Sequence, residues 1–202
     1  DGAPAIVCGI NPDNGRWFVG TKSVFNKVEP KINYTKADIA RNHGTDDLGQ
    51  KLLKCLVHLK KLNISGVVQG DLLFTKDDLK TENIGGKPSV TFTPNTITYA
   101  VEQGTELAQQ IERAEVGIIF HTTYVGERLA DMEAQAGADV ESYTKTPDVF
   151  FDNASYKDVS GSAKFTRDET AYFMGQIENL EKLLSAVPRN LGDMLRGNQD
   201  FV

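Results

Sequence analysis

No apolar run in this chain approaches the roughly 20 residues that a membrane-spanning helix needs, and nothing in it reads as a membrane segment. The first residues carry no basic stretch followed by an apolar one, so no secretory signal is read there. Cysteine is scarce. Cys8 and Cys55 lie far apart, which makes no disulfide framework and points to a reducing, cytoplasmic setting with two core thiols. His43, His58 and His121 are too scattered for a metal trio, and no Cys/His spacing matches a zinc site. Gly85-Gly86 is not followed by Lys-Ser/Thr, which excludes a P-loop. Asp13-Asn14-Gly15 lacks the alternating oxygens and the terminal Glu of a calcium loop. Positive charge is also short. With 22 Lys+Arg against 28 Asp+Glu the net charge is −6. The densest basic groups, Lys51/Lys54 and Lys60/Lys61, share one helix with its apolar stripe. This counts against an unaided grip on long nucleic acid, though not against binding one nucleotide. There is no internal repeat and no low-complexity tract.

What is present suffices for one sizeable core or two small ones: 202 residues, 40% of them hydrophobic. Residues 3–10 form an apolar strand, Asn11-Pro12-Asp13-Asn14-Gly15 a turn, and Arg16 to Gly20 the returning strand of a hairpin. Thr45 is placed as an N-cap, with Asp46 and Asp47 in the first turn. The leucines from Leu48 to Leu62 follow at spacings of three and four, the clearest amphipathic helix in the chain. Val67 to Phe74, Ser89 to Phe92, Thr96 to Val101 and Val116 to Thr123 read as strands. Thr75 to Leu79 reads as a short helical turn, and Ile84-Gly85-Gly86-Lys87 as a tight turn. Helices are expected over 106–115 and 127–136. Thr166 with Glu169 makes a capping box that opens a helix from Arg167 to about Val187. The expected class is α+β with a mainly antiparallel or mixed sheet. A core spans residues 1–139 and a mainly helical extension or insertion spans 140–202.

Few residues stand out as chemistry. Asp71 interrupts an apolar strand, and a buried carboxylate costs several kcal/mol unless it is paired or ligating. It is expected either to bind a ligand or metal or to pair with a cation such as Lys22. Tyr99 on its strand is a base-stacking ring or a core ring with its hydroxyl at the edge. Lys22 is a phosphate contact or a solvated lysine. His121, near a strand end, is expected to be hydrogen-bonded structure.

Four stretches in order carry a resemblance: Asp1-Gly2 before an apolar strand, Thr21-Lys22-Ser23 after a hairpin, Val68-Gln69-Gly70-Asp71-Leu72, and Thr96-Ile97-Thr98-Tyr99-Ala100-Val101. Together they resemble the adenylation domain of the covalent nucleotidyltransferases: ATP-dependent DNA and RNA ligases and mRNA capping enzymes. Asp1-Gly2 would be the end of the Lys-x-Asp-Gly motif, so the nucleophilic lysine is expected just before Asp1 and the chain is read as a fragment. Asp71 stands where that family has Glu, an arm shorter by about 1.5 Å. The chain also resembles uncharacterised proteins of tailed phages, in which a Lys precedes the same Asp-Gly-Ala-Pro-Ala run. The family's Glu-Gly and Lys-x-Lys motifs are absent here.

The resemblance covers residues 1–125 and implies ATP and Mg²⁺ as cofactors. Asp1, Gly2, Lys22, Asp71 and Tyr99 would form the nucleotide site, with Asp71 on the metal and no catalytic residue within the chain itself. It implies a nucleotide and DNA or RNA ends as partners, no membrane, and the host cytoplasm as location. The implied reaction passes from lysyl-AMP to a polynucleotide end. Two alternatives stand beside it: an inactive nucleotide- or protein-binding accessory protein of the same fold, and a phage structural component of unrelated α+β fold.

Overall fold

The computed structural model describes residues 3–154 and 166–186. The chain divides into two compact units, 1–155 and 156–202.

In the first unit, β1 (Ala5–Ile10) and β2 (Trp17–Gly20) form the expected hairpin. The Asn11 side chain accepts from the Asp13 N–H at 2.9 Å and donates to the Tyr34 hydroxyl at 2.7 Å. The chain then makes a single-turn helix over Lys22–Phe25 and reaches α1 (Lys36–His43). Thr35 and Asp38 close a capping box on α1, a helix that the spacing of apolar residues did not announce. α2 (Asp47–His58) continues as a tighter turn over Leu59–Leu62. Its N-cap is Asp46, not Thr45: the Asp46 carboxylate accepts from the Gly49 N–H. The leucine stripe does what its spacing predicts. Leu52, Cys55, Leu59 and Leu62 are fully buried against Ile6, Cys8, Val68, Leu72, Ile118 and Phe120.

β3 (Val67–Thr75) is the central strand of a six-stranded sheet. It pairs antiparallel with β1 on one side and with a long strand, Val116–Val125, on the other. Between them in sequence, β4 (Lys80–Ile84), β5 (Lys87–Phe92) and β6 (Tyr99–Glu102) make a separate antiparallel sheet. Gly85 and Gly86 both have positive φ, 60° and 86°, as a two-residue hairpin turn of primed type requires. α3 (Glu106–Arg113) packs Ala108 and Ile111 with Phe74, Val90 and Phe92.

β7 (Val116–Val125) takes two neighbours along its outer side. β8 (Glu133–Ala136) pairs antiparallel with its second half, and β9 (Val149–Asn153) pairs parallel with its first. Two expectations are corrected here. The helix expected over 127–136 is a turn over Leu129–Asp131 followed by β8. Its alanines favour a helix locally, but hydrogen bonding along β7 overrides propensity. The helical extension expected from residue 140 begins later, because β9 belongs to the sheet and the first unit runs through 155. The overall class is α+β with mixed and antiparallel sheets, as expected.

In the second unit, α4 (Arg167–Ala186) starts where the capping box places it. The Glu169 carboxylate accepts from the Thr166 N–H at 2.8 Å, and the Thr166 hydroxyl accepts from the Glu169 N–H at 3.2 Å. Among the described residues, no helix is long and apolar enough to cross a membrane.

Candidate functional site

The sheet's two faces differ. The face under α2 is built mainly of apolar side chains. The opposite face carries an apolar cluster at each end: Val7, Phe18, Val24, Val67 and Leu129 at one, and the Phe74 cluster at the other. Between the two clusters β3 presents Gln69 and Asp71.

Gly70 makes this possible. A Cβ there would fall 2.6 Å from the backbone oxygen of Ile119, so only glycine lets β3 and β7 approach so closely. At the same point the register slips: Gln69 pairs with Thr122, whereas Gly70 pairs with Phe120. His121 is the extra residue of this bulge, and bulges re-aim side chains. Its Nε2 lies 3.5 Å from Asp71 Oδ1, while its Nδ1 lies 2.8 Å from the Thr122 hydroxyl. The Asp71 side chain is 50% exposed and that of His121 27%. Alongside, the Tyr124 hydroxyl donates to Gln69 Oε1 at 2.7 Å, and its ring tilts against Phe25 at 4.4 Å. Burial raises the Tyr124 phenol pKa and keeps it the neutral donor.

Asp71 is therefore neither buried nor paired with Lys22. Its partner is His121, which becomes a cation only when protonated. Because half the carboxylate faces water, it needs no structural cation to be tolerated. Lys22 is exposed in the turn after β2. Val7 pairs with Gly20 and Ala5 with Asp71, so Lys22 leaves the sheet near the level of Asp71, beyond β1. Tyr99 opens β6 in the other sheet. One side of its ring is stacked on Phe92 at 5.4 Å and 13°, and Phe92 lies 4.9 Å from Phe74. It thus ends an aromatic stack that leads away from the Phe74 end of β3, and it shares no sheet with Asp71. Asp1 and Gly2 lie outside the described residues. The chain that follows them runs beside the carboxylate: the Pro4 carbonyl accepts from the Leu72 N–H at 2.9 Å.

The sequence reading missed further residues of this region. Ile119 pairs with Asp71 on one side and with Asp152 of β9 on the other. The two acids therefore share a face and stand about 10 Å apart by strand spacing. Asp152 also lines a cleft of about 580 Å³ over β9, walled by Gln110, Arg113, Glu141, Lys145 and Phe150. That volume suits a small-molecule site. Arg113 and Lys145 make no ion pair among the described residues. Only the pairing of β9 with β7 sets Asp152 two strands from Asp71, and nothing in residues 140–154 announces a strand parallel to β7.

Among the described residues no three His, Cys, Asp or Glu groups are gathered to hold a metal alone. Magnesium commonly takes one or two carboxylates and completes its shell with substrate phosphates and water. The half-exposed Asp71 carboxylate fits that mode, as a single protein ligand.

No curated protein and no solved structure matches the chain. One family model does, over residues 1–201: the chain belongs to the Family of unknown function (DUF6267).

Proposed function

We propose that this chain is the nucleotide-binding core of a ligase-like nucleotidyltransferase. The observation that carries the reading is Asp71. It is a half-exposed carboxylate on the central strand of a mixed sheet, one strand from the stretch that follows Asp1-Gly2, with His121 3.5 Å away as its ion-pair partner among the described residues. A Gly-acid strand in that position is what a ribose- and metal-facing carboxylate needs.

In this reading a lysine before Asp1 attacks the α-phosphate of ATP. Its N–P bond forms as the bond to pyrophosphate breaks, and the amine gives up a proton. Asp71 holds the ribose or the magnesium ion, which when bound neutralises phosphate charge. His121 holds the Asp71 carboxylate in place. Arg113 and Lys145, at the cleft two strands away, supply the positive charge that a triphosphate needs. Tyr99 stacks the base with the ring face that Phe92 leaves free. The adenylate then passes to a DNA or RNA 5′-phosphate. The second reading, a binding protein that keeps the fold without chemistry, is favoured by Tyr99 standing in the separate sheet.

Two measurements test this. Calorimetric titration of the chain with ATP and GTP should show Mg²⁺-dependent binding that Asp71→Asn weakens by roughly tenfold, about 1.4 kcal/mol. The whole reading frame incubated with α-labelled nucleotide should acquire a label that survives alkali and is lost in acid, as a phosphoramidate is. Binding without label selects the accessory protein. No Mg²⁺-dependent binding of either nucleotide ends the enzyme reading and leaves only the protein-binding form of the second.

A further inference from the structure

Among the described residues β9 pairs with β7 alone, and its first three residues, Val149-Phe150-Phe151, carry no charge, proline or bulge to blunt the other edge. The cleft of about 580 Å³ belongs to that edge, not to one face of the sheet. Its lining includes Val149, Phe150, Phe151 and Asp152, consecutive residues whose side chains alternate between faces. Phe150 packs with the Phe74 cluster, and Phe151 with the cluster under α2. A hollow that touches all of them runs along the outer side of the strand, with α3 on one side and residues 140–147 on the other. The backbone there is set to receive a strand. The Asp148 carbonyl accepts from the Glu115 N–H at 2.8 Å, and the Ala154 N–H donates to the Phe120 carbonyl at 2.8 Å. By alternation, residues 148, 150, 152 and 154 turn toward β7, while 149, 151 and 153 turn away. The Thr146 carbonyl takes the Val149 N–H at 3.5 Å. The N–H and C=O of Phe151 have no partner among the described residues.

We propose that the cleft takes an extended peptide of a partner protein, added to β9 as an antiparallel strand. Main-chain bonds give such a contact its affinity, and pockets for alternate side chains give it specificity. The antiparallel direction follows from Phe151: there a single peptide residue exchanges both bonds with it. The charges define the peptide. Arg113 ends α3 and stands at the start of β9, where Glu115 bonds Asp148. Neither Arg113 nor Asp152 makes an ion pair among the described residues. On their shared side of the strand an acidic residue opposite Phe150 meets Arg113, and a basic residue opposite Asp152 meets its carboxylate. Between them an apolar residue lies against Phe151. The other wall carries Glu141 and Lys145, one charge of each sign, and selects neither. The peptide therefore reads basic–apolar–acidic from its N-terminus, and the lined edge is about 13 Å long by strand rise. Its binding needs no nucleotide. Where a triphosphate also reaches Arg113, the two compete.

Fluorescence anisotropy of the full chain with a labelled Thr-Lys-Val-Glu-Thr peptide, without nucleotide, tests it. The expected result is saturable binding that moves the Phe151 amide resonance in NMR spectra. Methylating the valine nitrogen of the probe removes the donor to the Phe151 carbonyl and should weaken binding by roughly tenfold or more. Arg113 is exposed, so Arg113→Glu should fold. It should weaken binding by roughly tenfold, and a Thr-Lys-Val-Lys-Thr probe should restore it. A Thr-Glu-Val-Lys-Thr probe should bind the unaltered chain more weakly than the first. No saturable binding at millimolar probe overturns the proposal. So does binding that is indifferent to the methylated valine, that leaves the Phe151 amide unmoved, or that ignores Arg113→Glu.

Discussion

At the scale of single residues, backbone space and carboxylate bonding decide the outcomes. Gly9 has φ +148°, and a Cβ built on it would lie 2.0 Å from the Gly66 oxygen. Gly9→Ala should cost about 3 kcal/mol, combining strain and overpacking, as read by urea denaturation. Gly70→Ala pushes β3 from β7 and should cost roughly 1–3 kcal/mol. Because the same close approach sets the bulge, it should also move the His121 ring resonances in NMR spectra. Asp78 is a stability residue. Burial raises its pKa, but bonds from the Thr75 N–H at 2.7 Å and the Thr75 hydroxyl at 2.9 Å, with Lys51 nearby, outweigh burial and lower it below 3.8. A lowered carboxylate contributes fully above the unfolded value and loses its contribution as pH falls through the folded one. Asp78→Ala should therefore destabilise by about 1 kcal/mol at neutral pH, and by progressively less as pH falls through the lowered folded value.

Among the elements, α2 shows how a legible pattern becomes a core. Leu52 is fully buried between the helix and the sheet, so Leu52→Ala should cost about 2–5 kcal/mol. Asp46→Ala should cost about 1 kcal/mol by releasing the Gly49 N–H. Thermal denaturation of the two variants separates the effects. β8 teaches the opposite lesson. Glu133-Ala134-Gln135-Ala136 is exposed on every residue and has good helix formers, yet it is a strand because its backbone hydrogen-bonds to β7. β9 is hidden for a related reason: a parallel pairing leaves no turn signal between partners.

For the whole molecule, pH acts through two histidines of the first unit. Burial lowers the pKa of His43 and of His58 below 6.5, with Lys31 adding to the effect at His43 and Lys61 at His58. Nε2 of His43 and Nδ1 of His58 are buried with no hydrogen-bond partner among the described residues, which suits the neutral ring. The unfolded chain thus takes up protons first. Their contribution is complete above about pH 6.5, falls as pH drops from there toward the lowered folded values, and levels off below them. Denaturant midpoints should decline from pH 7 to about 5, and His43→Asn with His58→Asn should flatten the slope.

The order of the two hairpins, the leucine stripe of α2, the cap of α4 and the α+β class follow from residues near one another in the chain. Periodicity, turn chemistry and capping are local physics. Which acid stands exposed, which side chain faces it, and which strand lies beside β7 depend on pairings between residues far apart in sequence. Asp71 acquires His121 because Gly70 allows a bulge fifty residues away to turn toward it, and it acquires Asp152 because β9 lies along β7. Such choices are made by backbone hydrogen bonding and packing across the sheet, and no short window of residues contains them.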